Sequence, residues 1–308
     1  MDLMAAESAH VAQASLTPST TTGLPPLPPL TVIILTLNAQ DSLPKVVESI
    51  RDIASSILVV DSFSTDSTVP WATANGCEVV QHPFEHYAAQ RNWAQTHAAL
   101  APDAWVLHLD ADEVASAELA ASIRATLAAP VHDGYLIRRL TYFLGQPIRY
   151  GHMNPNWHLR LYRAGKGACE NRMYDQHFVM DGATGRLHGL MHDLQLVSIE
   201  RWTAAHNRWS TAEAQEILQA ENADNQLEAS LVGDPRQRKR WLKNQLYYKA
   251  PSLIRPFLFF FYNYIIKLGI LDGRVGFIYH TLHAFWFRFL VDAKLHELRS
   301  ERQRAKSL

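Results

Sequence analysis

The sequence lacks most of the marks that assign a chain to a class directly. Its 308 residues include two cysteines, Cys77 and Cys169, and no CxxC. That excludes a disulfide-stapled scaffold, fits a reducing compartment, and leaves both thiols as small buried apolar residues. A net charge of −1 gives no global pull toward nucleic acid or acidic partners. No GxGxxG follows the first apolar run and there is no P-loop lysine, which argues against a Rossmann dehydrogenase and a Walker-type phosphate cradle. The 15 histidines are scattered without an HExxH or a His/Cys cluster, so no zinc site is legible. No basic start followed by an apolar core opens the chain. Residues 1 to 30, rich in Ala, Ser, Thr and Pro and ending in Leu24-Pro-Pro-Leu-Pro-Pro-Leu30, read as a disordered tail with a polyproline end.

What is present begins at Thr31-Val-Ile-Ile-Leu-Thr36-Leu-Asn38, a β-branched run suited to a strand covered on both faces. Helical spacing over Leu43 to Ile53 and a second apolar run, Ile57-Leu-Val-Val-Asp61, make a βαβ unit, for which a right-handed crossover and a parallel sheet are expected. The polar loop Asp61-Ser-Phe-Ser-Thr-Asp66-Ser-Thr68 leads into a helix that Ser64, Thr65 or Asp66 can cap. A third strand at Cys77-Glu-Val-Val and a helix carrying Gln90-Arg91-Asn92 follow. The run Trp105-Val-Leu-His-Leu-Asp110 then ends in three carboxylates, Asp110, Asp112 and Glu113. Acids at the tip of a buried strand lie where open α/β sheets bind ligands. Asp110 and Asp112 can present oxygens to one Mg²⁺ or Mn²⁺ that keeps positions for phosphate oxygens. The plainer reading is a polar strand end with Glu113 starting the next helix.

Thr36-Leu-Asn38, Asp61 to Thr68, Gln90-Arg91-Asn92 and Leu109-Asp110-Ala-Asp112-Glu113, in this order, resemble the motif set of family-two glycosyltransferases. The closest likeness is to the branch that includes lipopolysaccharide core glucosyltransferases. It extends through Phe143-Leu-Gly, Trp157 to Arg163 and Gly185-Arg-Leu to Leu268 to Arg274. The resemblance implies an α/β GT-A fold, a doubly wound and mostly parallel sheet, and inverting transfer of a hexose from a UDP-sugar to a lipopolysaccharide-core, lipid-linked or other cell-envelope glycan. It implies that Asp61 accepts from a uracil, with Thr36 and Asn38 by base and ribose, that Arg91 meets the diphosphate, and that Asp110 lies toward ribose and metal. Asp112 would bind the metal, with His192 as a late ligand; a hydrogen-bonded core histidine is the alternative there. The general base would be Asp175, in Met173-Tyr-Asp175-Gln-His177, where relatives often carry Val-His-Glu; Asp181 is the competing acid and reads as a turn residue. Two other classes stay open: a DxD phosphatase of haloacid-dehalogenase type, although the first strand ends in Thr36-Leu-Asn38 without the expected aspartate, and a degenerate membrane-bound scaffold.

The segment from Gly134 to Arg163 alternates as strands that extend the sheet. Arg160 and Arg163 share a face only loosely, which puts at least one in solvent, and Trp157 is either a core tryptophan or a sugar-stacking surface. Residues 198 to about 225 read as a helix with Trp202, His206 and Trp209 near one face, packed on the catalytic domain.

From Arg236 to Leu271 there are eight Lys or Arg (Arg236, Arg238, Lys239, Arg240, Lys243, Lys249, Arg255 and Lys267) and no Asp or Glu. With them stand Trp241, Tyr247, Tyr248 and Pro256-Phe-Leu-Phe-Phe-Phe-Tyr-Asn-Tyr-Ile-Ile. Arg255, Pro256, Asn263 and Lys267 interrupt the run, leaving no clean span of about 20 apolar residues. Amphipathic helices lying on an anionic membrane surface fit better, with Phe277 to Val291 packed beside the first segment. An oligomer or core helix pair is the alternative. A phenylalanine run is foreign to single-strand nucleic-acid sites, so nucleic acid is set aside. The expected division is a tail (1–30), a catalytic domain (31–232, with 31–115 for the nucleotide-sugar and 116–232 for the acceptor) and a basic, aromatic membrane-associating region (233–308). The expected location is peripheral, at the cytoplasmic face of the inner membrane.

Overall fold

The computed structural model describes residues 27–307 apart from 102, 172–175, 196, 221–234, 243–246 and 248. Strand β1 (Leu30–Thr36) is buried at all but one position, as its β-branched sequence requires of a strand covered on both faces. Helix α1 (Leu43–Ile50) carries Pro in its first turn and buries Leu43, Val46, Val47 and Ile50, the i, i+3, i+4, i+7 stripe. There follow β2 (Ser56–Asp61), α2 (Thr68–Ala74), β3 (Glu78–Gln81), α3 (Tyr87–His97) and β4 (Trp105–Asp110). The four strands lie in the order β3-β2-β1-β4, all parallel. The chain therefore winds outward to one side of β1 and returns to the other side at β4. Between those two carboxyl ends lies the switch point at which such sheets open a crevice.

The second half of the sheet is mixed. It contains β5 (Glu113–Ala115), helix α4 (Ala117–Ala128), β6 (Gly134–Phe143), β7 (Gln146–Pro147), β8 (Asn156–Arg163), β9 (Gly167–Cys169), β10 (Phe178–Met180), β11 (Gly185–Arg186) and β12 (Met191–Asp193). Beyond β4 the order is β8-β6-β12-β5. β8 runs antiparallel to both β4 and β6, β12 runs parallel to β6, and β5 runs antiparallel to β12. β9 and β10 form a separate ribbon. The doubly wound, mostly parallel α/β sheet of the GT-A type is thus present, all parallel in its first half and mixed in its second. Glu113 does not start a helix. It opens β5, paired with β12 far along the chain, and α4 begins at Ala117, where the Ser116 hydroxyl accepts the Leu119 N–H at 3.1 Å.

Helices follow: α5 (Ile199–Ala220), α6 (Pro235–Leu242), α7 (Arg255–Phe261), α8 (Gly273–His280) and α9 (Phe287–Lys306). A π-helical turn, Tyr262–Ile266, prolongs α7, a 3-10 turn spans Gly269–Asp272, and a second π-helical turn, Thr281–Trp286, joins α8 to α9. The two arms pack as a hairpin, with Phe257 against Phe285 (ring centroids 4.6 Å apart) and Tyr264 against Phe277 (5.6 Å). Its inner side is locked to the loop between β7 and β8. The Asp272 carboxylate accepts from the Arg149 and Tyr150 amides at 3.0 Å each, and the Gly151 N–H donates to the Lys267 carbonyl at 3.0 Å. At this joint the His280 ring lies between two glycines. A Cβ on Gly151 would meet it at 2.5 Å and one on Gly269 at 2.4 Å.

Trp202 of α5 packs with Phe143, Ile148 and Tyr279, joining sheet to helices, while Trp209 and Ala214 pack on Phe287, Val291 and Leu295 of α9. The expected aromatic face of this helix is therefore shared between the sheet domain and the C-terminal helix. No helix among the described residues is long and apolar enough to cross a membrane. Two cations of the basic stretch are not at the surface. Arg236 is buried and donates to the Phe178 carbonyl, and Arg255 is buried in an ion pair with Asp292. Cys77 and Cys169 are buried, free thiols, as expected.

Candidate functional site

Three parallel strands end side by side. Thr36 is in register with Asp61, and Leu35 with Asp110, so the first two loops and the acidic turn surround one crevice. At the usual strand spacing, Asp61 and Asp110 stand about 10 Å apart across β1. Asp61 is fully buried, and its two oxygens accept from the Thr36 hydroxyl (2.9 Å), the Ser64 amide (2.8 Å), the Ser64 hydroxyl and the Gln81 side-chain amide (3.2 Å). Here the carboxylate anchors the loop that follows β2. Asn38, at φ 51°, closes the same loop pair: its side-chain oxygen accepts the Thr65 N–H at 2.8 Å and its own N–H donates to the Ser64 hydroxyl at 2.7 Å. Asp66 accepts from the Thr68 amide at 2.9 Å and from Gln40 at 3.2 Å, an inward cap of the kind its position before α2 suggested.

Sequence reasoning passed over the surface these bonds expose. Leu37 (59% exposed) and Phe63 (54% exposed) stand out at the tips of the two loops, and Phe63 holds φ 61°. A bulky residue in the left-handed region costs free energy and commonly marks a functional site. Phe84 and Tyr87, edge-to-face at 5.1 Å, are also exposed.

Each member of Gln90-Arg91-Asn92 ties α3 to a different element. Gln90 bonds the His82 ring at 2.8 Å and the Ser62 hydroxyl at 3.3 Å. Asn92 exchanges two bonds with the Cys169 backbone, at 2.9 and 2.8 Å. Arg91 is buried and donates to Asp110 at 2.7 Å. In this structure the Arg91 guanidinium therefore faces a carboxylate.

That pair opens a buried chain of charges. Arg160 donates to Asp110 at 3.0 Å and to Glu113 at 2.9 Å. Arg139 reaches Glu113 at 3.4 Å and Asp193 at 3.7 Å. Glu113 also accepts the Asp110 N–H at 2.9 Å, fixing the turn. Asp193 accepts from Gln195, which in turn accepts the Trp202 indole N–H, so the chain ends on α5. Of Arg160 and Arg163, the first is the buried network cation; the second pairs with Asp133 at 2.9 Å near the surface. The ion pairs of Arg139 and Arg160 with Asp110, Glu113 and Asp193 carried no local signal, because each joins residues distant in sequence. Trp157 is a partly buried core residue with the Arg186 guanidinium 5.2 Å from its ring.

Three arginines thus face three carboxylates, and Asp112 is the acid left over. Its side chain has no hydrogen bond or ion pair among the described residues. Burial pushes its carboxyl well above the ordinary range, and the charges of Asp193, Asp110 and Glu113 push the same way. Asp110 behaves oppositely: burial alone would raise it, but Arg91 and Arg160 together hold it far below the usual carboxylate range. His192 lies on β12 beside the Tyr142 ring (5.5 Å), and burial lowers its imidazole. Among the described residues no group of three or more His, Cys, Asp or Glu is arranged to hold a metal ion. Asp110, Asp112 and His192 thus do not form a finished cradle, and Asp112 is the acid with free oxygens. Asp175 lies outside the described residues, and Asp181 sits exposed in the bend after β10.

Comparison with known proteins bears on the family. The family model described as glycosyl transferase family 2 matches residues 31–187, just over half the chain. An uncharacterized glycosyltransferase of Rickettsia bellii is 28% identical over 273 residues, covering 87% of this chain and 86% of the relative. The lipopolysaccharide core biosynthesis glycosyltransferase LpsC of Rhizobium meliloti is 28% identical over 201 residues, 62% of this chain and 73% of LpsC. Among solved structures, S. aureus TarS 1-349 covers 90% of this chain and 92% of its own, at 14% identity and TM-score 0.42. Mycobacterium tuberculosis glucosyl-3-phosphoglycerate synthase, in complex with Mn²⁺ and UDP-glucose, covers 37% of this chain and 44% of its own, at 20% identity and TM-score 0.31. The phosphatase alternative has no support: β1 ends without an acid, and the family match spans the crevice.

Proposed function

The chain belongs to glycosyl transferase family 2, and on that premise we propose that it moves a hexose, glucose first among the candidates, from a UDP-sugar to a lipopolysaccharide-core, lipid-linked or other cell-envelope glycan. The observation that carries this reading is Asp112, an acid with no hydrogen bond or ion pair among the described residues, in the turn after β4 where the tips of β1, β2 and β4 come together. A half-buried acid surrounded by other acids is stabilised by a cation. Mg²⁺ or Mn²⁺ would suit these oxygen donors, with Asp112 as the protein's main ligand, Asp110 beside it and His192 as the weaker third. When bound, such an ion offsets charge on the departing diphosphate.

The remaining steps fall to the chain's own residues. Exposed Phe63 and Leu37 offer an apolar face to the uracil, and Thr36, Asn38 and the Asp61 loop set the depth at which base and ribose stop. Arg91, freed from Asp110 when a diphosphate arrives, has the planar donor fork that phosphate oxygens accept. Asp175 takes the proton of the acceptor hydroxyl. As that oxygen bonds to the anomeric carbon from the far side, the bond to the diphosphate breaks and the configuration inverts. Residues 31–232 form the catalytic unit in this reading, and 233–308 hold it peripherally at the cytoplasmic face of the inner membrane.

The test is UDP release and labelled-sugar transfer from a panel of nucleotide sugars, with Mn²⁺, Mg²⁺ or chelator, into a membrane extract. The expected result is metal-dependent release from a UDP-hexose that Asp112→Ala abolishes. Equal turnover by that variant, or none with any UDP-sugar, overturns the reading.

A further inference from the structure

We propose that the hairpin built from α7, α8 and the turns around them docks on an anionic lipid bilayer, and that it holds the crevice toward the lipid, so that the acceptor is a glycan carried on that same membrane. The acceptor half of this inference rests on the transferase reading; the docking half does not. Of the 23 exposed large hydrophobic residues among those described, 14 lie between Leu253 and Phe289, and the other nine are spread over the rest of the described chain. Ile254, Phe257, Phe261, Ile266, Ile270 and Leu271 carry this surface along the first arm and around the tip, with Ile266 at 59% and Leu271 at 60% exposure. A patch this continuous marks a contact surface. The tip residues that join the arms are themselves exposed, and an apolar ridge of this kind suits insertion among headgroups.

Charge decides the occupant. Lys249, Lys267 and Arg274 are exposed beside the ridge, and the one acid between Lys249 and Phe289, Asp272, is turned inward onto the Arg149 and Tyr150 amides. A second copy would bring like charges together, whereas anionic lipid neutralises them.

Topology sets the orientation. β4 and β6 run the same way, so the crevice and the loop that grips the hairpin lie at one edge of the sheet. Continuing the β4–β8 register places Asp110 level with His158, which pairs with Ile137. Phe143, at the hairpin end of β6, is six residues further, about 20 Å along the strand. The acidic turn is thus recessed below the hairpin, leaving room for an acceptor projecting from the headgroups.

The experiment uses the full chain and flotation with vesicles of phosphatidylcholine, with or without phosphatidylglycerol. The parent is expected to float with the phosphatidylglycerol vesicles. The double substitution Ile266→Asp/Leu271→Asp should weaken flotation by about tenfold or more, the loss of at least one buried aliphatic side chain, while melting temperature and UDP release without acceptor stay unchanged. Lys267→Gln/Arg274→Gln should remove the preference for phosphatidylglycerol. Sugar transfer into a membrane extract should fall with flotation. Docking is overturned if the parent floats with neither vesicle, if the Asp variant floats like the parent, or if the parent is a dimer that the Asp variant turns into monomers. The orientation is overturned if transfer into membranes survives the loss of flotation. A chain that floats but releases no UDP from any UDP-sugar removes the transferase reading and leaves docking standing.

Discussion

At one edge of the sheet two regions place side chains against their usual preference. In the crevice, Arg91, Arg139, Arg160, Glu113 and Asp193 are largely removed from water and paired with one another or with Asp110, while on the hairpin phenylalanines and isoleucines stand in solvent. Burying charge is costly unless every partner is supplied, and exposing a contiguous apolar ridge forfeits burial free energy. In the crevice the arginines and acids are paired with one another, and Asp112 is the acid without a hydrogen bond or ion pair among the described residues. The hairpin is complete on its inner side, where Asn263, Asp272 and His280 meet the sheet domain, and open on its outer side. In both regions the unsatisfied surface is the surface that calls for a partner.

Asp112→Ala should separate partner-seeking from structure most sharply. Turnover should fall about a thousandfold or more, while the melting temperature stays level or rises, because the acid has no cation partner in the fold. A drop in both would make Asp112 part of the scaffold. Arg160→Met should do the reverse. It leaves Asp110 and Glu113 buried and under-compensated, so urea unfolding should show a loss of about 3–5 kcal/mol; a variant as stable as the parent would mean that the charge chain is not structural.

Acid should loosen the helical side. Burial holds the His206 imidazole down at about 4. Since that is below its unfolded value near 6.5, the folded state binds fewer protons in this window. Stability should be full above pH 6.5 and decline as pH falls toward 4, by about 3 kcal/mol at most from this group. His206→Phe should flatten that slope; an unchanged pH profile would remove His206 as its source. The smallest effect belongs to Phe63→Ser. Loss of a stacking surface should raise the KM for the UDP-sugar roughly tenfold with kcat and stability near those of the parent, and an unchanged KM would clear Phe63 of base contact.

The parallel half of the fold was legible because its signals are local: β-branched runs, a helical stripe after each, and polar loops at the strand tips. The crevice followed from strand order alone. Arg91 was recognised as a cation for the site, but not its partner Asp110, because that pairing exists only when α3 packs on the sheet. The plainer alternative, with Glu113 starting a helix, fails for the same reason: the strand that makes it β5 comes from Met191–Asp193. Arg236 and Arg255 counted toward a basic surface by sequence, yet a carbonyl on β10 and the Asp292 carboxylate draw both inward. Charge composition records how many cations a segment has and leaves open which way each one faces. The exposed Phe63 was invisible because its prominence comes from a left-handed backbone.

The imidazole of His280, pressed between Gly151 and Gly269, leaves no slack at the junction. The hairpin can slide past the loop ahead of β8 only if that ring is expelled, and the Asp272 and Gly151 bonds hold the same joint. Whatever tilts the helical arm would then swing the tips of the sheet strands with it.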